Sequence, residues 1–176
     1  AIVNTFRLSL SASLLGFVVG TLLGVVAARW RDTWVDKAVV VTTAAGVSLP
    51  HYWLGMKRVV LFSVVYNVLP SMGAGDGSSG SWWDWEHLKY MVLPAVTLSI
   101  IPMGIVGRTV RGVVIEIMNQ DFVVTLRAKG LGKGRIARHI LKNAAPAVLS
   151  IMGLQLGYLM GGSILVETVF SWPGTG

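Results

Sequence analysis

The chain of 176 residues is 53% hydrophobic and only 13% charged, with a mean hydropathy of +0.67, which is too apolar for an ordinary soluble domain. That hydropathy excludes disorder, and the lack of cysteine excludes a disulfide scaffold, a thiolate zinc site and a cysteine nucleophile. A net charge of +7 would point to nucleic acid in a soluble protein, but here the basic residues stand between apolar runs, so they are read as membrane topology and no nucleic-acid partner is expected.

Residues 8–28 form the first uncharged run long enough to cross a hydrocarbon core of roughly 30 Å. Gly16, Gly20 and Gly24 recur along it every fourth residue, on one helix face where backbones can approach closely. Arg29, Arg31 and Lys37 follow, which assigns 29–37 to the cytoplasm, the side on which Lys and Arg are retained. The second crossing, about 38–66, is longer than one upright span. Pro50 predicts a kink in it, because an interior proline removes a backbone hydrogen bond and clashes with the preceding turn. Lys57 and Arg58 interrupt its apolar character; they either snorkel to the outer interface or, with Pro50 and His51, line a watery pathway. Segment 67–87 carries Asp76, Asp84 and Glu86 without any Lys or Arg and is therefore external, with Trp82, Trp83, Trp85 and Tyr90 as an interfacial aromatic belt.

The third crossing, 88–107, returns inward to a densely basic cytoplasmic loop, 108–145. Within that loop Asp121 is placed to cap a short helix, 122–129, which Gly130 ends. Beyond it Ile136, Ala137, Ile140 and Leu141 alternate at helical spacing with Arg135, Arg138, His139 and Lys142. That is a basic amphipathic helix, suited either to anionic membrane lipid or to a protein partner. The fourth crossing, 146–166, carries a second glycine row, Gly153, Gly157 and Gly161, and leads out to Glu167 and a turn-like tail. The fold class expected is all-α, a polytopic transmembrane helix bundle of about four spans forming one membrane-spanning domain over 1–176. The lack of an initial Met and the turn-like ending favour a fragment of a longer chain that lacks terminal helices.

His51, His87 and His139 fall on three levels of this topology, without paired ligand spacing, so no metal site is expected. Gly130-Leu131-Gly132-Lys133-Gly134 lacks the GK[ST] ending and the preceding strand of a phosphate-binding loop. No nucleophile motif or carboxylate pair supports an enzyme.

The stretch Asp121-Phe122-Val123-Val124-Thr125-Leu126-Arg127-Ala128-Lys129-Gly130-Leu131, followed by His139-Ile140-Leu141-Lys142-Asn143-Ala144-Ala145-Pro146, resembles the cytoplasmic EAA loop of ABC importer permeases of the dipeptide, oligopeptide and nickel group. Asn4-Thr5-Phe6-Arg7-Leu8, Ser48-Leu49-Pro50 with Trp53, Leu69-Pro70 with Gly73, Leu93-Pro94-Ala95 and Glu167-Thr168-Val169-Phe170-Ser171-Trp172-Pro173-Gly174 extend the likeness over nearly the whole chain, on the pattern of the first of two permease subunits. The resemblance implies a multi-pass protein of the bacterial cytoplasmic (inner) membrane that forms a path with a second permease subunit. ATP and Mg would bind to separate cytoplasmic ATPase subunits, and an external binding protein would deliver substrate; no cofactor is expected in this chain. It further implies that Asp121, Phe122, Thr125, Leu126, Arg127, Ala128, Lys129, Gly130 and Leu131 couple the permease to the ATPase. Di- or oligopeptides are the substrates favoured, with nickel or another small solute as the alternative. A membrane scaffold whose basic loop binds lipid or a partner is the reading from another class. Leu126, Val124, Lys57-Arg58 and His51 depart from the group's usual residues.

Overall fold

The computed structural model describes residues 2–66, 70, 73 and 85–175, the side chains of 51, 52 and 85–87 excepted. In chain order the helices are α1 (Ile2–Arg29), α2 (Trp34–Ser48), α3 (His51–Arg58), a π-helical continuation of α3 (Val59–Val65), α4 (Trp85–Met118), α5 (Asp121–Ala128), α6 (Lys133–Gly162) and α7 (Ile164–Val169). No strand occurs among the described residues.

At the centre α1 lies along α4, both running towards the end that carries the basic loop. Gly16, Gly20 and Gly24 are buried in this seam. A Cβ on Gly16 would stand 2.8 Å from the Ser99 carbonyl oxygen and 2.9 Å from Pro102, and one on Gly20 would stand 2.6 Å from the Met103 carbonyl oxygen. Only glycine permits that approach. Opposite Gly20 lies Gly107, so small residues meet from both helices. Pro94 and Pro102 are inside α4 and fully buried, a placement tolerated in membrane helices because neighbouring groups satisfy the carbonyls that proline frees.

Among the described residues three helices are long and apolar enough to cross a membrane, Ile2–Arg29, Leu88–Met118 and Lys133–Gly162, where the sequence led to about four such spans. The difference lies in the second crossing. Pro50 breaks it instead of kinking it: Leu49 (φ −82°, ψ 136°) and Pro50 (φ −61°, ψ 132°) are both extended, separating α2 from α3. The residue before a proline avoids the helical region, so the break falls on both. Thr43 and Val47 of α2 pack on Gly104, Gly46 on Ile100, and Gly55 of α3 on Thr97, which puts the break level with the middle of α4's apolar stretch.

The later helices run beyond their apolar spans. α4 continues past residue 107 to Met118, and the expected amphipathic helix is the first part of α6, joined without interruption to the fourth crossing through Pro146. Counting apolar residues detects only the part of a helix inside hydrocarbon, whereas a 34-residue helix of about 51 Å projects well beyond a core of roughly 30 Å. Ile136, Ile140, Ala144 and Val148 pack on Val106, Val110, Val114 and Ile117 of α4, so that side of α6 is core and not a face laid on lipid.

The two ends of the bundle are tied differently. At one, the Asn4 side chain donates to the Pro173 carbonyl (3.0 Å), Thr175 N–H donates to Thr5 Oγ1 (3.0 Å) and Gly73 N–H donates to the Phe170 carbonyl (3.0 Å). Three segments expected on one side of the membrane, 1–7, 67–87 and 167–176, thus contribute residues to one end. Glu167 is 1% exposed and accepts from Ser163 Oγ at 3.0 Å, so it is a buried group of the tail knot. The aromatic belt at Trp82 and Trp83, the acids Asp76 and Asp84, and the glycine-rich loop tip lie outside the described residues.

Candidate functional site

At the other end α5 forms a two-turn helix fixed at its C-terminus. Its start lies one residue earlier than the sequence indicated: Asp121 is the first helical residue and Gln120 is the cap position, with extended backbone and no side-chain cap bond. Asp121 therefore does not cap; its carboxylate sits in the first turn, where it favours the positive end of the helix dipole. The C-terminus is fixed by Gly130 at φ +74°, with Gly130 N–H donating to the Arg127 carbonyl (2.9 Å) and Leu131 N–H to the Leu126 carbonyl (3.2 Å). This is a Schellman turn, which needs the left-handed backbone glycine adopts without strain.

The helix has two faces. Val123 is 0% exposed and locks α5 to the core, with Phe122, Leu126 and Leu131 packed partly beside it. Asp121, Val124, Thr125, Arg127, Ala128, Lys129 and Gly130 are exposed. Leu126 therefore enlarges the inner face, whereas the other apolar departure, Val124, is 59% exposed and enlarges the outer one. Sequence reasoning did not single out Val123 as the anchor; its spacing of three from Leu126 is the signal that was present.

Asp36 at the start of α2 holds Arg111 of α4 by two hydrogen bonds, 2.5 Å from Arg111 Nε and 2.6 Å from Arg111 Nη2, and accepts from Asp32 N–H at 3.0 Å. The side chain of Asp36 is 4% exposed. Hydrogen bonding from Arg111 holds its carboxyl down, to about 2 against an ordinary 3.8. This fork ties the start of the broken crossing to the projecting end of α4. Asp36 stands in a short basic segment that also holds Asp32, and nothing in the sequence names Arg111 as its partner.

The remaining candidates lie at the helix break and beyond. Pro50 forms the break, and the side chain of His51 lies outside the described residues. Lys57 is exposed, with its ammonium 5.3 Å from the centre of the Trp53 ring. Arg58 is half-buried and does not point towards the near end of its helix: its guanidinium comes within 3.4 Å of the hydroxyl of Thr97, a residue that is 0% exposed and packs on Gly55. No carboxylate pairs with Arg58 among the described residues. Gly153, Gly157 and Gly161 do not pack on another element among the described residues; a Cβ on any of them would meet none of these within 4 Å. No group of three or more acidic or histidine side chains is placed to hold a metal among the described residues.

The known proteins with which this chain aligns are transport proteins. Residues 20–176 match the family described as binding-protein-dependent transport system inner membrane component. The chain belongs to that family. It is 34% identical over 190 residues to the dipeptide transport system permease protein DppB of Alkalihalophilus pseudofirmus, covering 98% of this chain and 57% of that protein. It is 36% identical over 192 residues to the di/tripeptide transport system permease protein DppB of Pseudomonas aeruginosa, covering 98% and 56%. The glutathione transport system permease protein GsiC of Escherichia coli is 35% identical over 173 residues, with 98% and 53% covered. The chain spans a little over half the length of these relatives, all of which are transport permeases. In fold it superposes on a chain of the MetNI methionine ABC transporter, solved in an inward-facing form, with a TM-score of 0.71 over 99% of this chain and 73% of that one, at 20% identity.

Proposed function

We propose that the chain is part of a permease subunit of an ATP-driven, binding-protein-dependent importer of di- or oligopeptides. The observation that carries this reading is α5: a short helix with an exposed face, anchored by Val123 and ended by the Gly130 turn, at the bundle's basic end. Separate ATPase subunits bind ATP and Mg, and their cleft takes the exposed face of α5 around Val124, Thr125, Ala128 and Lys129. Closure of the cleft moves α5 as a rigid body, and Val123 passes that movement to α4 and α6, biasing the bundle between two arrangements.

The pathway runs along the broken crossing. Irregular backbone at membrane depth is tolerated where it lines a cavity, and interrupted helices mark binding positions in transporters. Lys57 and Arg58 give that stretch two cations suited to a substrate carboxylate. A helix of a second permease subunit covers Gly153, Gly157 and Gly161, whose row permits close approach. A binding protein delivers the peptide at the opposite, external end, where Asn4 and Thr5 meet the tail.

The test is uptake of a radiolabelled dipeptide by the full-length protein, reconstituted with its second permease, ATPase and binding protein. Gly130→Pro is the informative variant, because proline cannot adopt the positive φ of this turn. Normal membrane levels, weakened ATPase association and lost uptake are expected. Full uptake with wild-type ATPase stimulation would remove the coupling assignment.

A further inference from the structure

Between the projecting ends of α1 and α4, α5 and the start of α6 lies a cavity of about 400 Å³. Its lining includes Arg29 from α1, Arg127 from α5 and Lys133 from α6. None of the three pairs with a carboxylate among the described residues. The walls are apolar, including Val25, Met118 and Leu141. Such a site is amphiphilic: a bound molecule must offer both an anion and hydrocarbon.

The surroundings of these cations decide which anion. Trp30 and Trp34, in and just after the turn that follows Arg29, are 50% and 79% exposed. Exposed tryptophans beside a helix end mark the membrane interface, where their amphipathic rings sit among headgroups. Arg29 also directly follows the uncharged run 8–28, so the α1 side of the cavity stands at the edge of an apolar span. Its volume falls in the range of specific small-molecule sites, about 300–1,000 Å³. The apolar residues of early α6 also divide in a telling way. Ile136 and Ile140 are buried against α4, while Ala137 and Leu141 are exposed although they line this cavity. The fold leaves apolar surface open where the charge is positive.

We propose that this cavity binds an anionic phospholipid, its phosphate held by Arg29, Arg127 and Lys133 and the upper part of one acyl chain lying against Val25, Met118 and Leu141. Basic pockets between helices on the cytoplasmic side are suited to anionic headgroups. The lipid bridges α1, α5 and α6, so it steadies the lever against the bundle. The proposal rests on the permease reading only for the side of the membrane and for that consequence.

The experiment uses the intact transporter purified in neutral detergent, with dioleoyl phosphatidylglycerol as the probe and dioleoyl phosphatidylcholine as its control, binding being followed by native mass spectrometry. Each cation near an anionic surface is worth about a fivefold change in affinity, so the double variant Arg29→Gln, Lys133→Gln should bind phosphatidylglycerol about 25-fold more weakly. Ala137→Trp, which fills the cavity without altering charge, should also reduce the bound lipid. Phosphatidylcholine should bind weakly to all three proteins. Equal phosphatidylglycerol binding by both variants and the wild type would overturn the proposal. So would displacement of the lipid by millimolar inorganic phosphate, which would mark a soluble-anion site, or shielding of a cysteine at position 137 by the ATPase subunits in lipid-free detergent, which would make the occupant protein. Binding is read without transport, so failure here leaves the uptake result standing, and loss of uptake would not remove the lipid.

Discussion

The two glycine rows have the same four-residue period and opposite fates. Gly16, Gly20 and Gly24 are buried against α4, while Gly153, Gly157 and Gly161 are exposed along α6. A row of small residues makes a helix face flat; what buries it is a second face with matching relief. α4 supplies one through Ser99, Met103 and Gly107, which also recur every fourth residue and fall opposite Gly16 and Gly20. Nothing in the described part of the chain supplies such a face to α6. Period alone thus identifies a surface able to pack closely, but the partner determines whether it does.

The largest effect should come from wedging the buried row. Gly20→Leu adds a side chain where a Cβ alone would stand 2.6 Å from the Met103 carbonyl oxygen and 3.1 Å from its Cα, and the opposing atoms are backbone, which cannot swing aside. Overpacking of this kind costs about 3 kcal/mol, or roughly 10 °C in melting temperature for a chain of this size. Differential scanning fluorimetry in detergent would read it, and an unchanged melting temperature would show that the α1–α4 seam is not as close as described.

The fork between Asp36 and Arg111 should come next, because it fastens α2 to α4 below that seam. Asp36→Ala leaves Arg111 without its counter-charge, at a cost of about 3 kcal/mol for a buried pair and somewhat less where the arginine is partly exposed. The pH dependence has a definite sign. The folded carboxyl titrates at about 2 against an ordinary 3.8, so its contribution is complete above the ordinary value and is lost as pH falls from there through about 2. In Asp36→Ala that part of the acid-induced loss of melting temperature should be absent.

These two contacts also show what a sequence can disclose. The glycine row, the helix-ending Gly130 and the disruptive Pro50 are local rules of backbone geometry, and each is legible from residue type and spacing. The sidedness of charge likewise foretold which segments gather at each end of the bundle, as Asn4 with Pro173 and Asp36 with Arg111 illustrate. Three things were not legible. The break at Leu49 and Pro50 reads as a kink because its extent depends on what lies beside the freed backbone. The helical projections of α4 and α6 are hidden because charged residues continue a helix as readily as apolar ones. The cavity between α1, α4, α5 and α6 depends on which turn of each helix faces the others, a matter of tertiary register.

The lever offers a smaller contrast within one helix turn. Val123 is 0% exposed and its neighbour Val124 is 59% exposed. Val123→Ala should cost about 1.5 kcal/mol of stability through lost burial, whereas Val124→Ala should stay within about 0.5 kcal/mol. On the coupling reading their effects on ATPase stimulation differ in kind: Val124→Ala alters the docking face with the fold intact, and Val123→Ala weakens the anchor. Chemical denaturation beside ATPase titration would separate the two, and equal destabilisation by both would contradict the orientation of α5.

The smallest expected effect on the chain itself tests the open row. At Gly157 a Cβ meets nothing within 4 Å, and the same holds at Gly153 and Gly161. Gly157→Leu therefore has room within this chain. Replacing a helix-interior glycine also removes a backbone-entropy penalty of roughly 0.5–1 kcal/mol, so the isolated subunit should be as stable as wild type or slightly more so. Association with the second permease subunit gives the opposite result if a helix of that subunit uses the row, since leucine would force the backbones apart. The expected pattern is an unchanged or raised melting temperature for the subunit alone, with a reduced yield of the two-permease complex on size-exclusion chromatography. A lowered subunit melting temperature would mean that the row is already covered within the full-length chain. A full yield of complex would mean that the second subunit packs on another face. Gly20→Leu made in parallel fixes the scale, because there the same leucine faces backbone already in place.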